Sequence, residues 1–190
     1  MTKKGVPWGV VIGTGVAIAS GIALCRWLFG ESEEAAQARR HITARVHLAC
    51  RTLGIPALPV MADDGVPNVA YRRGTIVYNR VWVIATLGRH CENGSCQDEV
   101  ILGIVAHEIG HHLYAQRAPS GRHPHAAELW ADEVAGRVLA AAGRGATDFE
   151  TVIRTESPVA TQTHPDGRAR AAAIRRGYEA IMGWRPGYAT

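Results

Sequence analysis

Lysine is almost missing from this chain: Lys3 and Lys4 are the only two in 190 residues. The formal charge of +4 therefore rests on arginine, and the arginines are scattered with no long basic run. Without a continuous cationic stripe, nucleic-acid binding is not expected; the arginines read as solvated helix faces. Internal repeats are also absent, as is any low-complexity tract beyond alanine-rich helix surfaces. What remains is enough chain for one compact domain of roughly 150 residues with an N-terminal appendage. Cysteine is scarce too, with four residues, Cys25, Cys50, Cys91 and Cys96.

What the chain does have is concentrated at His107-Glu108-Ile109-Gly110-His111, set in the apolar run Val100 to Ala106. This reads H-E-x-x-H. On a helix, positions i and i+4 lie on one face, so two imidazoles can hold one Zn²⁺ from the same side. Glu108 then lies where it can take a proton from an attacking water. Zinc sites of this kind hydrolyse peptide bonds. A catalytic zinc needs a third protein ligand and one open position. Glu128, seventeen residues after His111, fits as that ligand from a second helix. Asp132 is one turn further along the same face and can accept a hydrogen bond from a ligand histidine, which fixes the imidazole tautomer. The expected cofactor is one Zn²⁺ per chain, bound by His107, His111 and Glu128. The competing view, that His107 and His111 are buried core histidines, needs other buried partners for Glu108, Glu128 and Asp132, which is costly.

With these residues in place, the chain resembles a known group. H-E-x-x-H followed by E-x-x-x-D is the gluzincin arrangement. Glu128-Leu129-Trp130-Ala131-Asp132 is similar to the E-x-x-A-D form of the HtpX-like and CAAX-prenyl-endopeptidase family of membrane metallopeptidases. Thr163-His164-Pro165, followed by Arg168 and Arg170, resembles that family's T-H-P segment. Leu58 to Met61, Asn68 to Tyr71, Gly74 and Thr75 to Tyr78 resemble its short strands. The resemblance covers roughly residues 35 to 178. It implies a zincin-like domain and places His164 near the zinc, where it can donate to a developing oxyanion. Arg168 is then a candidate to orient a substrate carboxylate. The long apolar helices of the family's multi-pass members are missing, so their substrates do not carry over.

From Val6 to Cys25 the chain carries no charge, and Trp8 and Trp27 bracket the stretch. About twenty apolar residues in a helix span roughly 30 Å, the hydrocarbon thickness of a bilayer. Tryptophans at both ends suit the headgroup region. Lys3 and Lys4 before it, with Glu31, Glu33 and Glu34 after it, favour a cytoplasmic N-terminus and a periplasmic domain. A cleaved signal peptide is the competing reading, but the run is long and no clear A-x-A site follows. Ile22-Ala23-Leu24-Cys25 only loosely fits a lipoprotein box. The expected layout is a single-pass anchor over residues 1–30 and a metallopeptidase domain over 31–190. Gly9, Gly13, Ala17 and Gly21 form a small-residue stripe through which two anchors can pair as a homodimer.

Local signals give a mostly helical α+β fold. The stripe Ile42, Val46, Ala49, Cys50 and Leu53 predicts a helix ending at Gly54-Ile55-Pro56. Ala57–Met61, Val69–Tyr71 and Thr75–Asn79 read as a small antiparallel sheet. The family resemblance implies a short helix over Val81–Leu87, whose β-branched content on its own leaves the segment open. The motif helix is expected over 97–116, opened by a capping box of Ser95 and Asp98. The Glu128 helix should end at Gly143, a further helix should be capped by Thr147 with Glu150, and the last should run from Pro165 to about Met182. Cys91 and Cys96 flank an Asn-Gly turn that suits a disulfide in an oxidising compartment. The strand region 69–78 can take a peptide substrate in extended form. His112 points to another helix face and is expected to be structural. Two readings follow: a membrane-anchored zinc endopeptidase, or a proteolytically quiet zinc domain acting as an envelope chaperone or assembly factor. In the second, the loop from Arg117 to Ala127 plugs the site with His123 or His125 as a fourth ligand.

Overall fold

The computed structural model describes residues 31–90, 98–117 and 123–183. The expected membrane segment, its small-residue stripe, the Cys91–Cys96 pair and the Ser95 cap all lie outside the described residues. Among the described residues no helix is long and apolar enough to cross a membrane. The chain divides into two compact units, Met1–Gln37 and Ala38–Thr190.

Among the described residues six helices and three strands make a mostly helical α+β fold: α1 (Glu33–Leu53), β1 (Val60–Ala62), β2 (Val69–Arg72), β3 (Thr75–Tyr78), α2 (Arg80–His90), α3 (Asp98–Arg117), α4 (Pro124–Ala141), α5 (Thr147–Glu156) and α6 (Gly167–Met182). Ile42, Val46, Ala49 and Cys50 are buried, as their spacing on α1 predicts. They join one core with Ile101, Leu102, Val105 and Ile109 of α3 and Val134, Val138 and Leu139 of α4. Asn79 opens α2 by accepting from Trp82 N at 2.9 Å, a side-chain N-cap. Asp166 opens α6 by accepting from the amides of Arg168 and Ala169, both at 2.9 Å.

The sheet is mixed, not antiparallel. Its order is β1-β3-β2, with β1 parallel and β2 antiparallel to β3. Two reversals of direction, at Asp63–Val66 and at Arg73-Gly74, leave β3 running the same way as β1. Burial decides which strand is central. Ile76, Val77 and Tyr78 are all buried, so β3 needs neighbours on both sides, whereas Met61 and Ala62 of β1 are exposed.

The expected cap of α5 is also corrected. Ala146 holds the cap position with no side-chain bond. Glu150 is buried and turned to Arg175 at 2.7 Å, so it cannot reach back to the helix start.

Close backbone approach positions the functional elements. Gly110 lies between His107 and His111 on α3, and Ala131 lies between Glu128 and Asp132 on α4. A Cβ on Gly110 would sit 2.6 Å from Ala131 Cα. The two motif helices therefore cross where both have almost no side chain. On the other side of α4, a Cβ on Gly136 would sit 2.0 Å from the carbonyl oxygen of Ile174 in α6. At the same crossing a Cβ on Gly177 of α6 would sit 2.0 Å from the carbonyl oxygen of Glu133, and this close approach lets the Arg170 side chain reach Asp132.

Candidate metal centre

His107, Glu108 and His111 each bring a ligand atom within 4.8 Å of the others, a group able to hold a metal ion. Glu128 of α4 faces the same point. His107 Nε2 lies 3.0 Å from His111 Nε2 and 3.4 Å from Glu128 Oε2. His111 Nε2 lies 3.3 Å from Glu128 Oε1. Donors about 2.0–2.1 Å from a tetrahedral ion stand roughly 3.3 Å apart, so these spacings suit one cation. Glu128 Oε2 adds an independent sign of fit: it is buried and makes no hydrogen bond. A buried carboxylate oxygen without a donor is costly, and a cation there would satisfy it.

Behind the histidines stands a second layer. Asp132 is fully buried and its Oδ1 lies 2.8 Å from His107 Nδ1. With the proton on Nδ1, the ring donates to the carboxylate and turns its Nε2 lone pair to the cleft. Arg170 grips the same carboxylate with both arms of its fork, Nε to Oδ2 at 2.8 Å and an Nη2 to Oδ1 at 2.9 Å. The same nitrogen is 3.6 Å from Glu128 Oε2.

This packing moves the titrations. Burial disfavours a charged His107, but its bond to Asp132 and the nearby Glu128 carboxylate outweigh it and hold the imidazole at about 10. Burial would raise Glu128, yet His107 and His111 keep it well below the usual carboxylate range. Asp132 is likewise lowered against its own burial by His107 and Arg170. Arg170 is raised, because Asp132 outweighs desolvation of the guanidinium.

Glu108 is anchored separately from these groups. Its Oε2 accepts the backbone N–H of Tyr71 at 2.8 Å. Tyr71 belongs to β2, and its hydroxyl meets His112 Nδ1 at 2.9 Å, with the two rings edge to face. The residue that follows the second histidine therefore docks the strand that anchors Glu108. Antiparallel pairing explains why this amide is available. Asn79 N donates to Asn68 O at 2.7 Å, so residues 68, 70 and 72 face β3, whereas Val69 and Tyr71 turn their backbone groups outward.

His164 sits at the mouth, half exposed, with Nε2 3.6 Å from Glu128 Oε1. Its turn is tied internally, His164 N to Thr161 Oγ1 at 3.0 Å and Thr161 N to His164 O at 2.8 Å. His125 Nε2 meets the carbonyl of Thr161 at 2.8 Å and buttresses the turn from α4. His123 caps α4 by accepting from His125 N at 3.2 Å. Both rings are thus engaged away from the donor atoms. Arg168 is exposed; the buried arginine of the segment is Arg170, two residues later, which grips the Asp132 carboxylate of the chain itself. The T-H-P resemblance contained Arg170, but only the docking of α6 distinguishes it from Arg168. Tyr71 acts through its backbone, for which a side-chain pattern carries no signal. No family model, curated protein or solved structure matches this chain.

Proposed function

We propose that the chain is a zinc-dependent endopeptidase with a zincin-like, gluzincin arrangement, anchored in a membrane by its N-terminal segment and acting on unfolded envelope proteins. One observation carries the reading: two helical imidazoles and the Glu128 carboxylate converge at 3.0–3.4 Å in a cleft that Glu108 also lines. Further support comes from the motif resemblance and from the uncharged stretch Val6 to Cys25. Zinc suits a set of two imidazoles and one carboxylate, and when bound it supplies a Lewis acid that polarises the scissile carbonyl and lowers the pKa of water.

The chain's own groups do the rest. His107, His111 and Glu128 hold the ion. Glu108, fixed through Oε2 by Tyr71, takes the proton of the attacking water and returns it to the leaving amine. Asp132 keeps His107 in the tautomer that binds. His164 donates to the oxyanion as it develops. The outward backbone of Val69 pairs with an extended substrate.

A second reading has one observation in its favour. His164 Nε2, at 3.6 Å from Glu128 Oε1, is near enough to become a fourth ligand. A closed site of that kind fits a quiet zinc domain that serves as a chaperone or assembly factor.

The test compares the full chain with Glu108→Gln, measuring bound zinc and cleavage of an unfolded protein. The expected result is one zinc per chain in both and cleavage only in the parent, with the variant slower by at least about 10²–10⁴-fold. Zinc in both with cleavage in neither would favour the quiet domain. No zinc in either would end the metal reading.

A further inference from the structure

The cleft does not stop at the metal donors. Its volume is about 910 Å³, room for several residues of a peptide. On α3, Val100 and Ile104 continue the stripe of His107, Glu108 and His111 toward the helix start. Facing them are Phe149, Val152 and Ile153 of α5 and Trp82 of α2, and all six line the same cavity. Val100, Phe149 and Ile153 are buried and form a base. Trp82, Ile104 and Val152 are only partly buried and turn apolar surface into the cleft.

Charge is confined to the other end. The charged or titratable lining groups are His107, Glu108, His111, Glu128, His164 and Arg170, with Glu156 at the far end of α5. Glu156 is seven residues from Phe149, roughly 10 Å along the helix. A charged side chain entering beside Val100 and Phe149 would lose water with no partner to replace it. An apolar one would gain about 25 cal/mol for each Å² it covers.

We infer that this end of the cleft is a side-chain pocket, and that the substrates are extended peptides with a bulky aliphatic or aromatic residue flanking the scissile bond. The inference deepens the peptidase reading and rests on it. The occupant is an extended peptide because Asn68 and the first two residues of β2, Val69 and Ala70, line the same cavity, and Val69 turns its backbone groups away from β3. A strand paired on Val69 places alternate side chains toward and away from the cleft floor. A residue pointing to the floor next to Glu108 enters between Ile104 and Val152. Pocket discrimination of this type gives about 10–200-fold between a large apolar side chain and a small one.

The experiment uses two forms of the zinc-loaded full chain. The parent reports cleavage, and Glu108→Gln reports binding without turnover. Each meets a set of unstructured peptides that differ at one position, Leu, Phe, Ala, Asp or Lys. Expected is a preference for Leu and Phe of at least tenfold over Ala, with Asp and Lys weaker still. Val152→Trp, on a partly exposed helix face, fills the pocket and should remove that preference so that Ala competes with Leu. Val152→Asp places a carboxylate in the pocket and should raise Lys above Leu. Equal binding of all five peptides, or a preference unmoved by both variants, overturns the inference. Cleavage without preference would overturn it and leave the peptidase standing. Preferential binding without cleavage would keep the pocket and remove the peptidase.

Discussion

At the scale of single residues, the centre is decided by how one buried carboxylate is compensated. Asp132 is fully buried and has two partners, His107 on one side and Arg170 on the other. Removing a partner from a buried charge pair leaves the remaining charge uncompensated, at a cost of about 3–5 kcal/mol. Arg170→Met should therefore destabilise the protein by that order in urea melts. Arg170→Lys should recover only part of the loss, because a point charge cannot reproduce the two parallel bonds of the fork. Adding Asp132→Asn to Arg170→Met should cost less than the two single changes combined, since the orphaned charge is gone. A loss below about 1 kcal/mol for Arg170→Met would show that Arg170 is not what holds Asp132.

At the scale of elements, absent side chains set the geometry. Gly110 and Gly136 let α4 touch α3 and α6 backbone to backbone, and the metal donors and Arg170 depend on those two crossings. Gly110→Ala would drive a methyl to 2.6 Å from Ala131 Cα, so the helices must part. Overpacking of this kind costs about 1–3 kcal/mol, and it should also weaken metal binding by moving Glu128 away from His107. The check is a thermal melt and a zinc titration on the same variant; a melt that falls while zinc affinity holds would separate packing from the site. Gly136→Ala meets a carbonyl oxygen at 2.0 Å and should cost more.

This division also marks what was legible in the sequence. α1 follows from three- and four-residue spacing, a local property, and so does the shared face of His107 and His111. Glu128 and Asp132 read the same way on a second helix. The pairing of β1 with β3 was not legible, because it depends on which strand the core covers. Nor was the choice of Arg170 over Arg168, which the crossing at Gly136 makes.

At the scale of the whole molecule, the centre is a set of charges that a bound cation would complete. Glu108, Glu128 and Asp132 face one guanidinium, and without metal the imbalance is eased by a proton on His107. The pH dependence of the metal-free protein follows. His107 titrates at about 10 in the fold against 6.5 as its ordinary value. A raised value stabilises the fold fully below 6.5, and that contribution is lost as pH climbs through about 10. Glu128 and Asp132 are lowered from 4.5 and 3.8, so their contribution is present above those values and is lost as pH falls below them. The site of the metal-free protein is thus most stabilising between about 4.5 and 6.5. Zinc, as proposed for this site, should reverse the alkaline limb, because binding would require His107 without its Nε2 proton. Near neutral pH each zinc should release about one proton, and affinity should rise close to tenfold per pH unit up to about 9. At a hundredfold excess over its dissociation constant, zinc adds about 2.7 kcal/mol to stability. Calorimetry in buffers of different ionisation enthalpy counts the released proton. Urea midpoints across pH, with chelator and with zinc, trace the two limbs. A metal-free midpoint that is flat from pH 6 to 9, with no proton released on binding, would mean that His107 is already neutral and that its proton does not offset the three carboxylates.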